Sequence, residues 1–290
     1  MIKVLLSGSD GQLGQLVQQQ FATMPQFNLL ACNRAALDIT NTAAVSQLFT
    51  AFQPAIVINC AAYTAVDQAE RNSLQCHSVN ASAVAQLAQL CRRFDSLFIS
   101  ISTDYVFDGS GRRPYIERDL TAPLNQYGLA KQQAERAAEQ AIKYITLRTS
   151  WLFSELGANF VSRICQQAQS GDVTRVVQDQ YGNPTPARAL AQAIGQLAHQ
   201  YVQDGQLRYG LYHFAGYPCC SWYQFAIAIY QLVAPQHLHK LQGIASPFPG
   251  ALARRPAYSC LDMSLFQQQF SFKAPPWQAE LAAVVKKLAE

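Results

Sequence analysis

Three glycines spaced three apart, Gly8, Gly11 and Gly14, follow directly on the apolar run from Ile2 to Ser7 and open the amphipathic stretch from Gln12 to Thr23. In a strand, glycine turn and helix of this kind, the first glycine permits a tight turn. The second lets a backbone approach an anion, and the third lets the helix pack closely on the strand. The helix N-terminus then offers unpaired N–H groups and the positive end of its dipole to a phosphate. The apolar run is short and breaks at once into glycine, so it reads as a first strand rather than a leader.

The rest of the first half keeps the same alternation. Strands are predicted over residues 28–32, 54–60, 97–102 and 144–148, and helices over residues 42–52 and 78–94 and within 123–142. The run 54–60 is apolar on both faces, as in strands buried between two helix layers. This pattern predicts an α/β fold, a doubly wound parallel sheet. Beyond Trp151 the rhythm loosens, with helices expected near 157–170, 187–203, 221–234 and 276–289. Short strands near 173–177 and 209–214 and Pro-rich turns at 247–256 complete it. The expected division is a dinucleotide-binding domain over residues 1–150 and a smaller C-terminal α/β lobe, mainly substrate-binding, over residues 151–290, with the chain free to cross between the two.

With 50% hydrophobic and 14% charged residues, the 290-residue chain has the composition of a packed protein. Its net charge of +4 forms no basic block, and no run reaches membrane-spanning length. The expected partner is a small molecule, with neither nucleic acid nor membrane. Eight cysteines lie mostly in apolar stretches without the paired spacing of a zinc site. Reduced thiols and a cytoplasmic location are the expectation.

The glycine turn makes Gly8, Asp10, Gly11, Gln12, Leu13 and Gly14 the first cofactor-binding candidates. The residue that chooses between NAD and NADP is expected about 20 residues further on, where an acid would hold the ribose hydroxyl. Asn33 and Arg34 stand there. A cation suits the additional phosphate, so NADPH is favoured, with NADH open. Asp38 and Ile39 are placed to touch the adenine, and Ala61, Ala62 and Tyr63 follow the third strand along the cofactor edge of the sheet.

Tyr127 and Lys131, four apart, share one face of a predicted helix. A phenol needs help to act as an acid or base near neutrality, and an adjacent ammonium supplies it by stabilising the phenolate. Lys131 is also placed to hydrogen-bond the nicotinamide ribose, which adds Tyr127 and Lys131 to the cofactor set. Thr103, ending the fourth strand, offers a hydroxyl where a substrate oxygen would sit. These three are the catalytic candidates.

With these motifs assembled, the sequence resembles the extended short-chain dehydrogenase/reductases and, within them, the dTDP-4-dehydrorhamnose reductases. The resemblance covers nearly the whole chain. It rests on Gly8–Gly14, Asn59-Cys-Ala-Ala-Tyr-Thr-Ala-Val-Asp-Gln-Ala-Glu70, Ser102-Thr-Asp-Tyr-Val-Phe-Asp-Gly109 and Pro123-Leu-Asn-Gln-Tyr-Gly-Leu-Ala-Lys131, and on Arg148-Thr-Ser-Trp151, Asp179-Gln-Tyr-Gly-Asn-Pro-Thr185 and Arg255-Pro256. It implies a Rossmann-type sheet and the reduction of a C4 ketone by NAD(P)H in the last step of dTDP-L-rhamnose formation, toward cell-surface polysaccharide. Tyr127 would protonate the nascent alkoxide, with Lys131 and Thr103 assisting. Thr103, Asp104 and Trp151 match positions that contact the sugar. Similar sugar-nucleotide dehydratases carry Thr-Asp-Glu, and Tyr105 stands here in place of that Glu, which favours simple reduction.

In one respect the chain departs from the resemblance. Some members are magnesium-linked dimers that use glutamates of the first helix and of the second lobe. Here no acid lies between Gln12 and Thr23, and Arg188 occupies the second place. Hard cations need carboxylate oxygens, so no magnesium or other metal is expected, and a homodimer stays open. For a nucleotide diphosphate, Arg254 and Arg255 are the cation candidates, and Asn159, Phe160, Tyr181 and Trp222 are candidates for the base or sugar pocket. Two alternatives remain: an epimerase-reductase or a reductase for another nucleotide sugar, for which adjacent Cys76 and His77 form a pair to check, and a non-catalytic regulatory subunit.

Overall fold

The computed structural model describes residues 1–247, 250–273 and 276–289. Its first half runs β1 (Ile2–Ser7), α1 (Gln12–Ala22), β2 (Phe27–Cys32), α2 (Thr42–Phe52), β3 (Ile56–Asn59), α3 (Val66–Arg71), α4 (Ser73–His77), α5 (Ala83–Arg93), β4 (Leu97–Thr103), α6 (Gln126–Ala138) and β5 (Tyr144–Thr149). The second half adds β6 (Leu152–Phe153), α7 (Phe160–Ser170), β7 (Thr174–Val177), β8 (Tyr181–Gly182), β9 (Thr185–Pro186), α8 (Ala187–Asp204) and β10 (Gly210–His213). After these come β11 (Cys220–Ser221), α9 (Trp222–Val233), β12 (Leu241–Ile244), α10 (Ser264–Phe270) and α11 (Trp277–Ala289).

The main sheet has the order β10-β5-β4-β3-β1-β2, and every neighbouring pair is parallel. Side chains alternate between its faces. Val4, Leu6, Ile56, Ile58, Ile99 and Leu147 pack beneath α1, α8 and α10, while Leu5, Val57 and Phe98 pack beneath α2, α5 and α6. This is a Rossmann-type doubly wound sheet. Connections leave β1 and β3 toward opposite sides, and the crevice at their carboxyl ends is where ligands of such sheets bind.

A third core, around Phe225, Tyr230 and Trp277, joins α7, α9 and α11 into the smaller lobe. The chain does not stay there. It returns to lay β10 on β5 and α8 on α1.

Some elements differ from those predicted. The helical run expected from residue 78 already begins at Ser73 and widens to the looser i→i+5 pattern over Ser78–Ser82 before α5. Helix α10, only seven residues with no side-chain cap, carries no sequence signal of its own. Phe266 and Phe270 bury it against the sheet. The expectation of eight reduced thiols is corrected as well. Cys219 and Cys260, 41 residues apart with Cα atoms 5.9 Å apart, form a disulfide. The other six cysteines are free.

Candidate active site

The glycine turn closes as its spacing predicts. Gly8 has φ +76°, open to glycine at no steric cost, and a Cβ on Gly14 would collide with the Gly8 carbonyl. Gly11 caps α1 without a side-chain hydrogen bond, so the first N–H groups of the helix stay available. Asp10 accepts a hydrogen bond from Asn33 Nδ2 at 2.9 Å, tying the turn to the end of β2. Arg34 is exposed and lies 3.6 Å from Asp38. Leu13 and Ile39 are core residues by their side chains. Gln12 faces the second lobe, where its Oε1 accepts from Ser154 and from Asn159.

Beyond β3, Asn59 accepts from the Ala61 N–H and from the Ser7 hydroxyl, which fixes the turn that carries Ala61 and Ala62. Asn80 was not singled out in the sequence. It is fully buried and holds Tyr63 twice, accepting from its N–H at 2.8 Å and donating to its carbonyl at 2.9 Å. The widened turn of Ser78–Ser82 carries this side chain, and such local widenings recur at functional sites. A polar residue inside an Ala-rich helix was the available clue.

Tyr127 and Lys131 share one face of α6, as their spacing requires. Asn125 caps this helix by accepting from the Gly128 N–H at 2.8 Å, and it reaches the Arg254 carbonyl at 2.7 Å. Gly128 allows α6 to touch the turn at Asp104–Val106, since any Cβ there would strike the Tyr105 carbonyl. From behind, a buried bidentate pair fixes the helix. Arg148 Nε and Nη2 each donate to Glu135 at 2.8 Å, and the Ser102 hydroxyl donates to the same carboxylate at 2.5 Å. Burial and the Arg148 charge push the His213 imidazole down to about 3, so it stands neutral against this pair.

Lys131 Nζ donates to the Ile101 carbonyl at 2.9 Å. Burial lowers its pKa to about 8, against the opposing pull of Cys76, Glu135 and Cys60. Burial raises the Tyr127 phenol above its ordinary range, and the neighbouring Thr103 hydroxyl pulls the other way. Thr103 also donates to Asp104 at 3.1 Å and accepts from the Tyr105 N–H. Asp104 is 2% exposed, and desolvation raises its carboxyl to about 7.

A cleft of about 1570 Å³ extends from Tyr105 into the second lobe, lined among others by Phe160, Arg163, Arg175, Trp222 and Arg254. Trp222 stacks on Trp151 at 3.5 Å between ring centroids, so the predicted sugar-contacting indole forms a wall with it. Tyr181 is exposed and pairs β8 with β11. Arg255 lines the cleft too, but its guanidinium donates to Asp67 at 3.2 and 2.6 Å. The Leu252 and Ala253 N–H groups converge on the same carboxylate. With Arg255 foremost, these donors hold Asp67 near a pKa of about 2. Arg163 and Arg175 escaped sequence reasoning because each stands alone among apolar or polar residues. Among the described residues, neither they nor Arg254 form an ion pair.

Cys76 and His77 do not act as a pair. Cys76 is buried against Tyr127 with its thiol pushed up by burial, whereas the His77 ring nitrogens meet Gln133 and Gln126. Arg188 pairs with Glu155, as does Lys287. Among the described residues no three His, Cys, Asp or Glu side chains gather as a metal site, and no helix is long and apolar enough to cross a membrane.

Residues 2–290 match the family described as RmlD substrate binding domain. The dTDP-4-dehydrorhamnose reductase of Aggregatibacter actinomycetemcomitans is 40% identical over 286 residues, covering 97% of each chain. A crystal structure of a dTDP-4-dehydrorhamnose reductase from Clostridium acetobutylicum superposes with a TM-score of 0.91 at 31% identity, covering all of both chains. One from Bacillus anthracis, in complex with NADP, superposes with a TM-score of 0.90 at 32% identity over 99% of this chain and 100% of its own.

Proposed function

The chain belongs to the RmlD substrate binding domain family, alongside the dTDP-4-dehydrorhamnose reductases, and from that premise we propose how its residues divide the work. It is an NAD(P)H-dependent oxidoreductase that reduces the C4 ketone of a dTDP-linked deoxysugar, dTDP-4-dehydro-L-rhamnose to dTDP-L-rhamnose. The observation that carries the mechanism is the placement of the Tyr127 phenol on the same helix face as the Lys131 ammonium, one turn apart on α6.

The cofactor cradle fits a dinucleotide. The α1 N-terminus has no side-chain cap to compete with a pyrophosphate. The buried Thr149 hydroxyl, beside Thr103 in the β4–β5 register, has no partner among the described residues. Gly8, Asp10, Gly11, Gln12, Leu13 and Gly14 would cradle the phosphates. Asn33, Arg34, Asp38 and Ile39 would flank the adenosine, and Ala61, Ala62 and Tyr63 would run along the cofactor's length. When bound, the nicotinamide supplies the hydride.

Tyr127 donates its proton to the C4 oxygen while Thr103 hydrogen-bonds that oxygen. Lys131 provides positive charge close to the phenolate that remains. Asp104, Tyr105 and Trp151 surround the sugar. Arg163, Arg175 and Arg254 neutralise the diphosphate, and Phe160 and Trp222 offer aromatic surface to the base. Arg255 acts from the wall of the cleft, through Asp67 and Tyr105. Residues 1–150 chiefly hold the cofactor and 151–290 chiefly the substrate. The NADPH requirement and the nucleotide-sugar substrate support a cytoplasmic site of action. Any pairing with a second copy of the chain is independent of metal, because Arg188 is matched to Glu155 where the resemblance called for a second acid.

The test is NADPH consumption with freshly generated dTDP-4-dehydro-L-rhamnose. Tyr127→Phe is expected to lower turnover by about 10² to 10⁴-fold while cofactor binding is retained. Full activity in that variant overturns the assignment.

A further inference from the structure

Residues 252–255 reach back from the second lobe to the cofactor half of the molecule. Leu252 is 46% exposed, so apolar burial does not anchor the stretch there. Polar contacts hold it instead. Asp67, in the first turn of α3, takes four donors from this one stretch: the Leu252 N–H at 2.9 Å, the Ala253 N–H at 3.0 Å and two guanidinium nitrogens of Arg255 at 3.2 and 2.6 Å. The Arg254 carbonyl, between them, accepts from Asn125 Nδ2 at 2.7 Å. The flanks are tied elsewhere. Asp179 accepts from the Ser246 N–H and hydroxyl at 2.8 and 2.6 Å. On the other side the Ala257 carbonyl accepts from the Tyr181 N–H at 2.8 Å, and the Ser259 hydroxyl donates to Asp104 at 2.6 Å.

We propose that Asp67 is a positioning residue for the substrate's diphosphate: by latching residues 252–255 to the cofactor half, it sets the Arg254 side chain in the cleft. The inference rests on the reductase reading above and adds to it a residue that acts through another. Asp67 and Arg254 line the same cleft. The Arg254 backbone is fixed before and after by the Asp67 contacts and at its own carbonyl by Asn125, which also caps α6. The charge of Arg255 is matched by Asp67, whereas Arg254 has no ion pair among the described residues. The latch therefore holds one cation in the protein and presents the next one to a ligand.

Two simpler roles for Asp67 predict different outcomes. As a charge alone, a carboxylate lining an anion-binding cleft repels a diphosphate, so neutralising it should tighten binding. As an acid in the first turn of α3, it favours the helix N-terminus, so neutralising it should be read in stability. As a latch, its loss should be read as weaker nucleotide binding. Asparagine separates the three. Its carbonyl oxygen can still accept from the Leu252 and Ala253 N–H groups, but its amide turns a donor toward the Arg255 guanidinium, which has only donors of its own. The stretch then loses the contact that closes it.

The experiment measures the Kd of dTDP by titration calorimetry on NADP-saturated protein, for the wild type, Asp67→Asn, Arg254→Ala and the double variant. Asp67→Asn is expected to weaken dTDP binding about 10-fold, the scale of one misplaced charge-assisted contact. The Kd of NADP and the unfolding midpoint should stay at their wild-type values. Arg254→Ala should weaken dTDP by a similar factor, and the double variant by no more than Arg254→Ala alone, because a latch has no effect once the side chain it positions is gone. Unchanged or tighter dTDP binding in Asp67→Asn overturns the proposal. So does a double variant in which the two losses multiply in full, or an Asp67→Asn protein whose midpoint and NADP affinity fall together. A wild type that binds NADP but not dTDP would instead sink the reductase reading.

Discussion

Helix α6 delivers Tyr127 and Lys131 inside a hydrogen-bond frame, whereas the cleft of the second lobe presents Arg163, Arg175 and Arg254 without ion-pair partners among the described residues. In the first region nearly every polar group is already satisfied by the protein, so its geometry exists before anything binds. In the second, the charges are left for a ligand to neutralise. The contrast separates two tasks. Proton transfer depends on small distances and repays a preset arrangement, while anion binding needs accessible donors.

Three substitutions would break or sharpen that contrast. The largest effect is expected from Arg148→Met, which strands the Glu135 carboxylate in the core. Stability to denaturant should fall by about 3–5 kcal/mol, and turnover should fall with it because α6 loses its backing. A variant as stable as the wild type would mean that the frame is not what fixes the helix. Arg163→Ala should do the reverse. KM for the nucleotide sugar should rise about 10-fold, equivalent to about 1.4 kcal/mol, with the unfolding midpoint unmoved. If kcat falls and KM does not, the cleft is shaping the reaction rather than merely binding. The smallest change is expected from Arg34→Ala at the exposed rim of the cofactor site. The ratio of NADPH to NADH affinity should drop about 3- to 10-fold, in keeping with a single solvated cation. An unchanged ratio would remove Arg34 from cofactor choice.

The contrast also explains what could be read from the chain beforehand. Gly8, Gly11 and Gly14, and likewise Tyr127 and Lys131, were legible because their geometry is local: a turn and a helix face translate spacing directly into position. The alternation of strands and helices gave the sheet for the same reason. Asn80, Asp67 and Ser259 were not legible as site residues, because their partners lie 17, 188 and 155 positions away. Nothing nearby announces those pairings. Arg255, a cation candidate for the diphosphate, does line the cleft, but its pairing with Asp67 was equally hidden by distance along the chain. Cys219 and Cys260 likewise meet only because the chain returns.

That return has a consequence for how such a molecule can change over time. Strand β10 closes the edge of the sheet on β5, and Leu190, Ile194 and Leu197 of α8 fill the core beneath β1. A chain cut after residue 150 would expose both an unpaired strand edge and a bare apolar face. The two halves are therefore braided rather than strung together, and neither can be traded as a cassette with a relative. A new sugar preference has to be acquired in place, through substitutions in the loops and helices that line the cleft, while the strand and helix that cross back stay as they are.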